Sequence, residues 1–99
     1  MTTRIASPSI PRLAFGQGLT VAGVVAQFTE FPTDATDVCV TVQAASVWVT
    51  FDGSDPVPGA NGHQSDPGDT WNLSKTMARA SKWIRSGSTS AFLYATPLA

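Results

Sequence analysis

From residue 19 onward the apolar positions come in short runs instead of helical stripes. Residues 19–28, 37–43 and 46–51 are crowded with Val, Thr and aromatic side chains, the residue types that fit a pleated, half-buried surface. In the third run Val47, Val49 and Phe51 alternate with Trp48 and Thr50. That period of two predicts a strand with one core face. Turn chemistry punctuates the runs, with Phe31-Pro32-Thr33-Asp34 after the first and Asp52-Gly53 closing the third. Residues 52–69 then form one long connection in which almost every second residue is a turn former. Trp71 and Leu73 alternate as a short strand. Residues 82–86 and 91–96 flank Gly87-Ser88-Thr89-Ser90 and predict a hairpin.

Between these strands one stretch supports two readings. Leu73, Met77, Ala80 and Ile84 fall at helical spacing, with Lys75, Arg79 and Lys82 on the other side. A strand over residues 73–85 would put Met77 and Trp83 beside Arg79 and Arg85, a poor core face. The spacing therefore predicts a short helix near residues 74–79. The predicted fold is mainly β: an antiparallel β-sandwich or jelly-roll-like barrel, with an extended N-terminal arm over residues 1–18 and at most one short helix. Residues 19–99 form its single domain, with a core including Val40, Val42, Val47, Val49, Phe51, Leu73, Ile84 and Phe92.

The arm is unusual in composition. Pro8, Pro11, Gly16 and Gly18 discourage a long helix or a central strand, yet Ile5, Ile10, Leu13 and Phe15 are apolar. Two readings stay open: a strap over the chain's own sandwich, or an arm that buries these four side chains against another subunit. No continuous apolar stretch of signal-peptide length opens the chain, and residues 19–28 are too short and interrupted to cross a bilayer, so synthesis in a cytoplasm is expected.

Charge is scarce. Charged residues make up 13% of the chain, about half the usual share, and the net charge of −1 supplies no field for nucleic acid or anionic lipid. Lys75, Arg79, Lys82 and Arg85 read as a solvated face. A single Glu and two Lys stand against 22 Ser and Thr, which starves helices of their best surface formers. The lone Cys39 cannot form an intramolecular disulfide and reads as a small apolar residue within Val38-Cys39-Val40.

Catalytic and cofactor chemistry finds little support. His63 is the one histidine, so an ordinary zinc set is excluded, and no Gly-x-Ser-x-Gly elbow carries Ser54 or Ser65 toward His63 and Asp66. Asp52, Asp55, Asp66 and Asp69 share one loop without EF-hand spacing, and each sits beside Gly or Pro, where turn capping explains it. Gly16-Gln17-Gly18 lacks the third glycine and following helix of a phosphate cradle. A non-enzymatic protein without cofactor is expected. The three tryptophans, Trp48, Trp71 and Trp83, read either as core or as surface aromatics at an interface. A surface so poor in charge suits a subunit that buries much of its exterior.

The segment Val47-Trp48-Val49-Thr50-Phe51-Asp52-Gly53, followed by Pro56, Asn61-Gly62-His63 and Pro67-Gly68, resembles small virion proteins of tailed bacteriophages. In that pattern a strand ending in Thr-Phe-Asp-Gly leads into a Pro/Gly-rich loop. Residues 80–85 and 90–94 also resemble the closing hairpin of such proteins. The resemblance covers roughly residues 38–97 and leaves the N-terminus unmatched. It implies a structural subunit, sited in the virion as a capsid-decoration or head–tail accessory protein, that contacts copies of itself and capsid, portal or tail proteins. Asp52 and Gly53 would form the turn leaving the strand. Asn61, Gly62 and His63 would shape the loop, and Pro67-Gly68 would redirect the chain. A small carbohydrate-binding module with exposed Trp48 or Trp71 stacking on sugar is the alternative.

Overall fold

The computed structural model describes residues 16–85, 87 and 89–98. Arm residues Ile5, Ile10, Leu13 and Phe15 lie outside this range. The chain forms β1 (Gln17–Val21), β2 (Asp37–Gln43), β3 (Val47–Thr50), β4 (His63–Ser65), β5 (Thr70–Ser74), α1 (Lys75–Ala80), β6 (Lys82–Ile84) and β7 (Ala91–Leu98). Two antiparallel sheets result, β1-β7-β2-β5 and β4-β3-β6, in a mainly β, sandwich-like fold with one short helix. Gln17 and Gly18 belong to β1, where they pair with Ala95 and Tyr94.

The period-two pattern of β2 places Val38, Val40 and Val42 inside, and β3 adds Val47 and Val49, all fully buried. Burying a valine side chain contributes about 1.5–3 kcal/mol against leaving it exposed, so this valine set is a main source of cohesion. Aromatics fill the rest of the core. Trp83 stands edge-on to Trp71 and to Phe28, with ring centroids 6.5 and 6.4 Å apart, and Phe31 packs beside Phe28. Both core indoles have their N–H groups satisfied by a buried serine. Trp71 Nε1 donates to Ser65 Oγ at 2.9 Å, and Trp83 Nε1 donates to Ser81 Oγ at 2.8 Å. Ser81 Oγ in turn donates a hydrogen bond to the Ala78 carbonyl at 2.6 Å. Thus neither hydroxyl is buried without a partner.

Helix α1 is one and a half turns long and begins where the sequence expects. Ser74 is its N-cap, with Oγ accepting from the Met77 N–H at 3.1 Å. Its inward residue is Ala78, whereas Met77 is 43% exposed. The helical stripe Leu73, Met77, Ala80 and Ile84 therefore does not face the core as one row, because the helix ends before Ile84 joins β6.

Three expectations are corrected. Residues 82–86 and 91–96 do not pair as a hairpin: β6 lies beside β3 in the small sheet, and β7 lies between β1 and β2 in the large one. Burial of Trp83 fixes β6 in the small sheet, and the connection between β1 and β2 covers β6's other edge through the Ala26–Trp83 bridge. Trp83 is accordingly no surface aromatic; it is fully buried. In β7 the inward row is Ala91, Leu93, Ala95 and Pro97, so Phe92 faces outward and Ile84 is only half-buried. The inner row is small because the core volume is already taken by Phe28, Phe31, Trp71 and Trp83. Phe51 packs at the rim of this cluster, half-buried against Trp71 at 5.4 Å.

Trp83→Ala should therefore cost about 3–5 kcal/mol, and Phe51→Ala, at the rim, about 1–2 kcal/mol. Urea denaturation of the two variants checks the order. Ser81→Ala leaves the Trp83 indole N–H unsatisfied in the core and should cost about 1–3 kcal/mol, against a small change for Ser90→Ala at an exposed position.

Candidate functional site

Alternation along β7 that buries small residues necessarily presents large ones. Phe92 and Tyr94 point outward from the large sheet, 37% and 40% exposed. Strand register assembles their neighbours in rows. Thr20, Phe92 and Gln43 form one row; Gly18, Tyr94, Thr41 and Thr70 the next; Thr96, Cys39 and Asn72 the third. Leu98, Asp37 and Ser74 close the face. Among the described residues of these rows, Asp37 is the one acid and no Lys or Arg is present. An antiparallel sheet with one solvated face ordinarily carries charged side chains outside. This face does not.

The two aromatic rings are held flat by glycines across the strand pair. A Cβ at Gly18 would come 2.7 Å from Phe92 Cζ, and one at Gly16 would fall into the Tyr94 ring. The rings therefore lie directly on the β1 backbone, an arrangement in which an aromatic covers a strand glycine. Gly16 N–H also donates to Tyr94 Oη at 3.1 Å. Gly16-Gln17-Gly18, weighed as a weak phosphate cradle, serves instead as the seat for two rings.

The small sheet has a lesser outward patch. Trp48 pairs with Gln64 on β4 and Ile84 on β6 in one row, and both Trp48 and Ile84 are half-buried. Trp71 lies elsewhere. It shares a row of the large sheet with the buried Val40, is half-buried, and packs against Trp83. Trp48 and Trp71 thus do not share a face, and of these two tryptophans only Trp48 lies on an outer face.

The long connection is ordered by its own side chains. Asp52 Oδ1 accepts from Ser54 Oγ at 2.6 Å and from Ser54 N–H at 3.0 Å. These two bonds, the hydroxyl first, hold the Asp52 carboxyl below its usual pKa. Gly53 gives its carbonyl to Lys82 Nζ at 2.9 Å, and Lys82 also pairs with Asp55 at 3.1 Å. Asn61 donates to Ser54 Oγ and to the Asp55 carbonyl, and its backbone bridges to Val57. Gly62, at φ +117°, runs so close to β3 that a Cβ there would stand 2.8 Å from the Val49 carbonyl. Gly68 N–H donates to the Val42 carbonyl at 2.8 Å, so the Pro67-Gly68 turn redirects the chain along β2. Asp66 accepts from Ser46 Oγ and Asp69 accepts from Ser65 Oγ.

Thr50, Phe51, Asp52, Asn61, Gly62 and His63 line an open concavity of about 330 Å³. The loop-shaping residues named from the sequence therefore do converge, except Gly53, Pro67 and Gly68, which serve turns outside this wall. His63 is exposed, with its ring tilted at 6.3 Å from Phe51. Among the described residues no hydrogen bond joins His63 to Ser54, Ser65 or Asp66: Ser54 donates to Asp52, Ser65 to Asp69, and Asp66 is taken by Ser46. Phe92, Tyr94, Gly16 and Gly18 are the surface residues that sequence reasoning missed. Their signal was present as Gly-x-Gly facing Phe-x-Tyr, but pairing it required the β1–β7 register.

Asp52 supplies a pH test. Its carboxyl is depressed in the folded state, so its contribution is complete above the unfolded carboxylate value and fades as pH falls through the lower folded value. Carboxyl-carbon NMR should show Asp52 titrating at lower pH than in Ser54→Ala, where the leading bond is gone. An unchanged midpoint would contradict this assignment.

Compared with known proteins, the chain matches no protein-family model, no curated protein and no solved structure.

Proposed function

We propose that this chain is a non-enzymatic structural subunit that works by protein–protein assembly, as a homo-oligomer within a bacteriophage virion. The observation that carries the assembly reading is the outer face of the β1-β7-β2-β5 sheet, where Asp37 is the one charge among the described rows and Phe92 and Tyr94 are exposed. Aromatic side chains concentrate binding energy at interfaces, and the centres of interfaces are depleted of charge. Closed symmetric assemblies hide the same patch on every copy. The virion setting rests on the resemblance of residues 47–68 to small tailed-phage structural proteins. Capsid, portal or tail subunits would be its further partners. Neither nucleic acid nor a membrane is needed. Synthesis would take place in the host cytoplasm before incorporation.

Size-exclusion chromatography with light scattering should give a mass several times 10.4 kDa. Thr41→Lys, which sets a cation in the middle of this face, should shift that mass toward the monomer while the melting transition stays cooperative. A monomer retained on a polysaccharide column would favour the carbohydrate-binding alternative and remove the assembly reading.

A further inference from the structure

The outer face of the large sheet is too small to hold two copies together by itself. Four strands at about 4.8 Å spacing and about six residues at about 3.4 Å rise cover roughly 400 Å². Two such faces pressed together would bury about 800 Å² in total, below the roughly 1,200 Å² at which specific interfaces begin. Something longer must complete the contact. The chain itself carries a segment of matching chemistry, because residues 1–15 join the face at Gly16, whose N–H is bonded to Tyr94 Oη.

We infer that the apolar arm of one copy, through Ile5, Ile10 and Leu13, lies across the Phe92–Tyr94 face of a neighbouring copy. This rests on the assembly reading and names its docking site. Two observations support the pairing. The arm is apolar but cationic, with Arg4 and Arg12 and no acid, while the rest of the chain holds seven acids against four cations. The face it would meet has Asp37 as its one acid, at the end of rows that are otherwise neutral. A surface of this kind accepts an apolar strand without stranding a buried cation, and attracts a positively charged one.

Length lets the arm reach a neighbouring copy. β1 begins at Gln17, opposite Ala95, and runs antiparallel to β7 toward the Phe92 row. Pro8 and Pro11 fix their own φ and push Ser7 and Ile10 into extended backbone, which disfavours a helical return. Fifteen extended residues span about 50 Å, roughly three times the length of the five-residue β1. The ordering cost of such a segment is reduced by its prolines.

The native thiol provides the test, since Cys39 lies in the third row of this face. Ile5→Cys, Ile10→Cys and Leu13→Cys are made one at a time in the full chain and oxidised with diamide at low concentration. At least one should form disulfide-linked dimers or longer ladders on non-reducing gels, at least tenfold faster than Val24→Cys, a control on an exposed residue that lies on no strand. Cys39→Ser in the same background should abolish the ladder. A cross-link confined to monomers would overturn the inference and make the arm a strap on its own domain. Absence of any cross-link in a protein that light scattering shows to be oligomeric would overturn the docking site while leaving assembly standing. A monomeric full-length protein would overturn both.

Discussion

Everything in this fold is arranged around the burial of one indole. Trp83 sits on a three-residue strand, yet it touches Trp71 of the large sheet and Phe28 of the β1–β2 connection, and it closes a backbone bridge with Ala26. Its N–H requires an acceptor in a place water does not reach, and Ser81 supplies it. Ser81 is also the C-cap of α1 and donates its hydroxyl hydrogen bond to the Ala78 carbonyl. One residue therefore fixes where the helix stops, which sheet β6 joins and how the 22–31 segment lies over the edge. In a chain of 99 residues the core is small enough that a single aromatic of this size sets the remaining volume.

The consequence for β7 is direct. With the aromatic cluster already between the sheets, the inner row of β7 must be small, and Ala91, Ala95 and Pro97 surround Leu93. The larger residues of the strand, Phe92 and Tyr94, are displaced outward. A substitution that enlarged the inner row would compete with Trp83 for space, since added methylenes in a packed interior cost about 1–3 kcal/mol. The outward aromatics are thus partly a by-product of packing. Their seating on Gly16 and Gly18 is not: nothing in the core demands glycine at either position, and any Cβ there would lift the rings.

What the sequence makes legible follows the strength of local patterning. The strand at residues 37–43 is a dense run of Val and Thr after the turn at 31–34, and its bounds coincide with β2. The short helix near residues 74–79 follows from apolar spacing, and in the structure Ser74 caps it. The turns at Asp52-Gly53 and Pro67-Gly68 are equally local, because Asx bonding and positive φ depend on immediate neighbours. Sheet membership is not local. The 82–86 and 91–96 segments have the spacing of a hairpin, and only the competition for Trp83's burial separates them into different sheets. The inward face of β7 is hidden for the same reason. Size alone makes Phe92 a core candidate, whereas the register with β2 puts it opposite Gln43.

The candidate site is correspondingly divided. The loop residues Asp52, Asn61, Gly62 and His63 were identifiable from their types, and they do meet around one concavity. Their hydrogen bonds, however, run among themselves and to Ser54 and Asp55, which is the behaviour of a loop stabilising its own shape. The sheet face has the opposite character. Its side chains are mostly polar or aromatic, with Asp37 the one charge, and are laid out in flat rows that the pleat imposes at fixed spacing. A loop whose polar groups satisfy one another leaves little for a ligand to replace, because each bond taken must be repaid by a new one. A flat, nearly neutral face leaves apolar area uncovered in every isolated copy, and covering its neutral rows costs no ion its water. Between the two surfaces, the free energy available for recognition lies with the sheet.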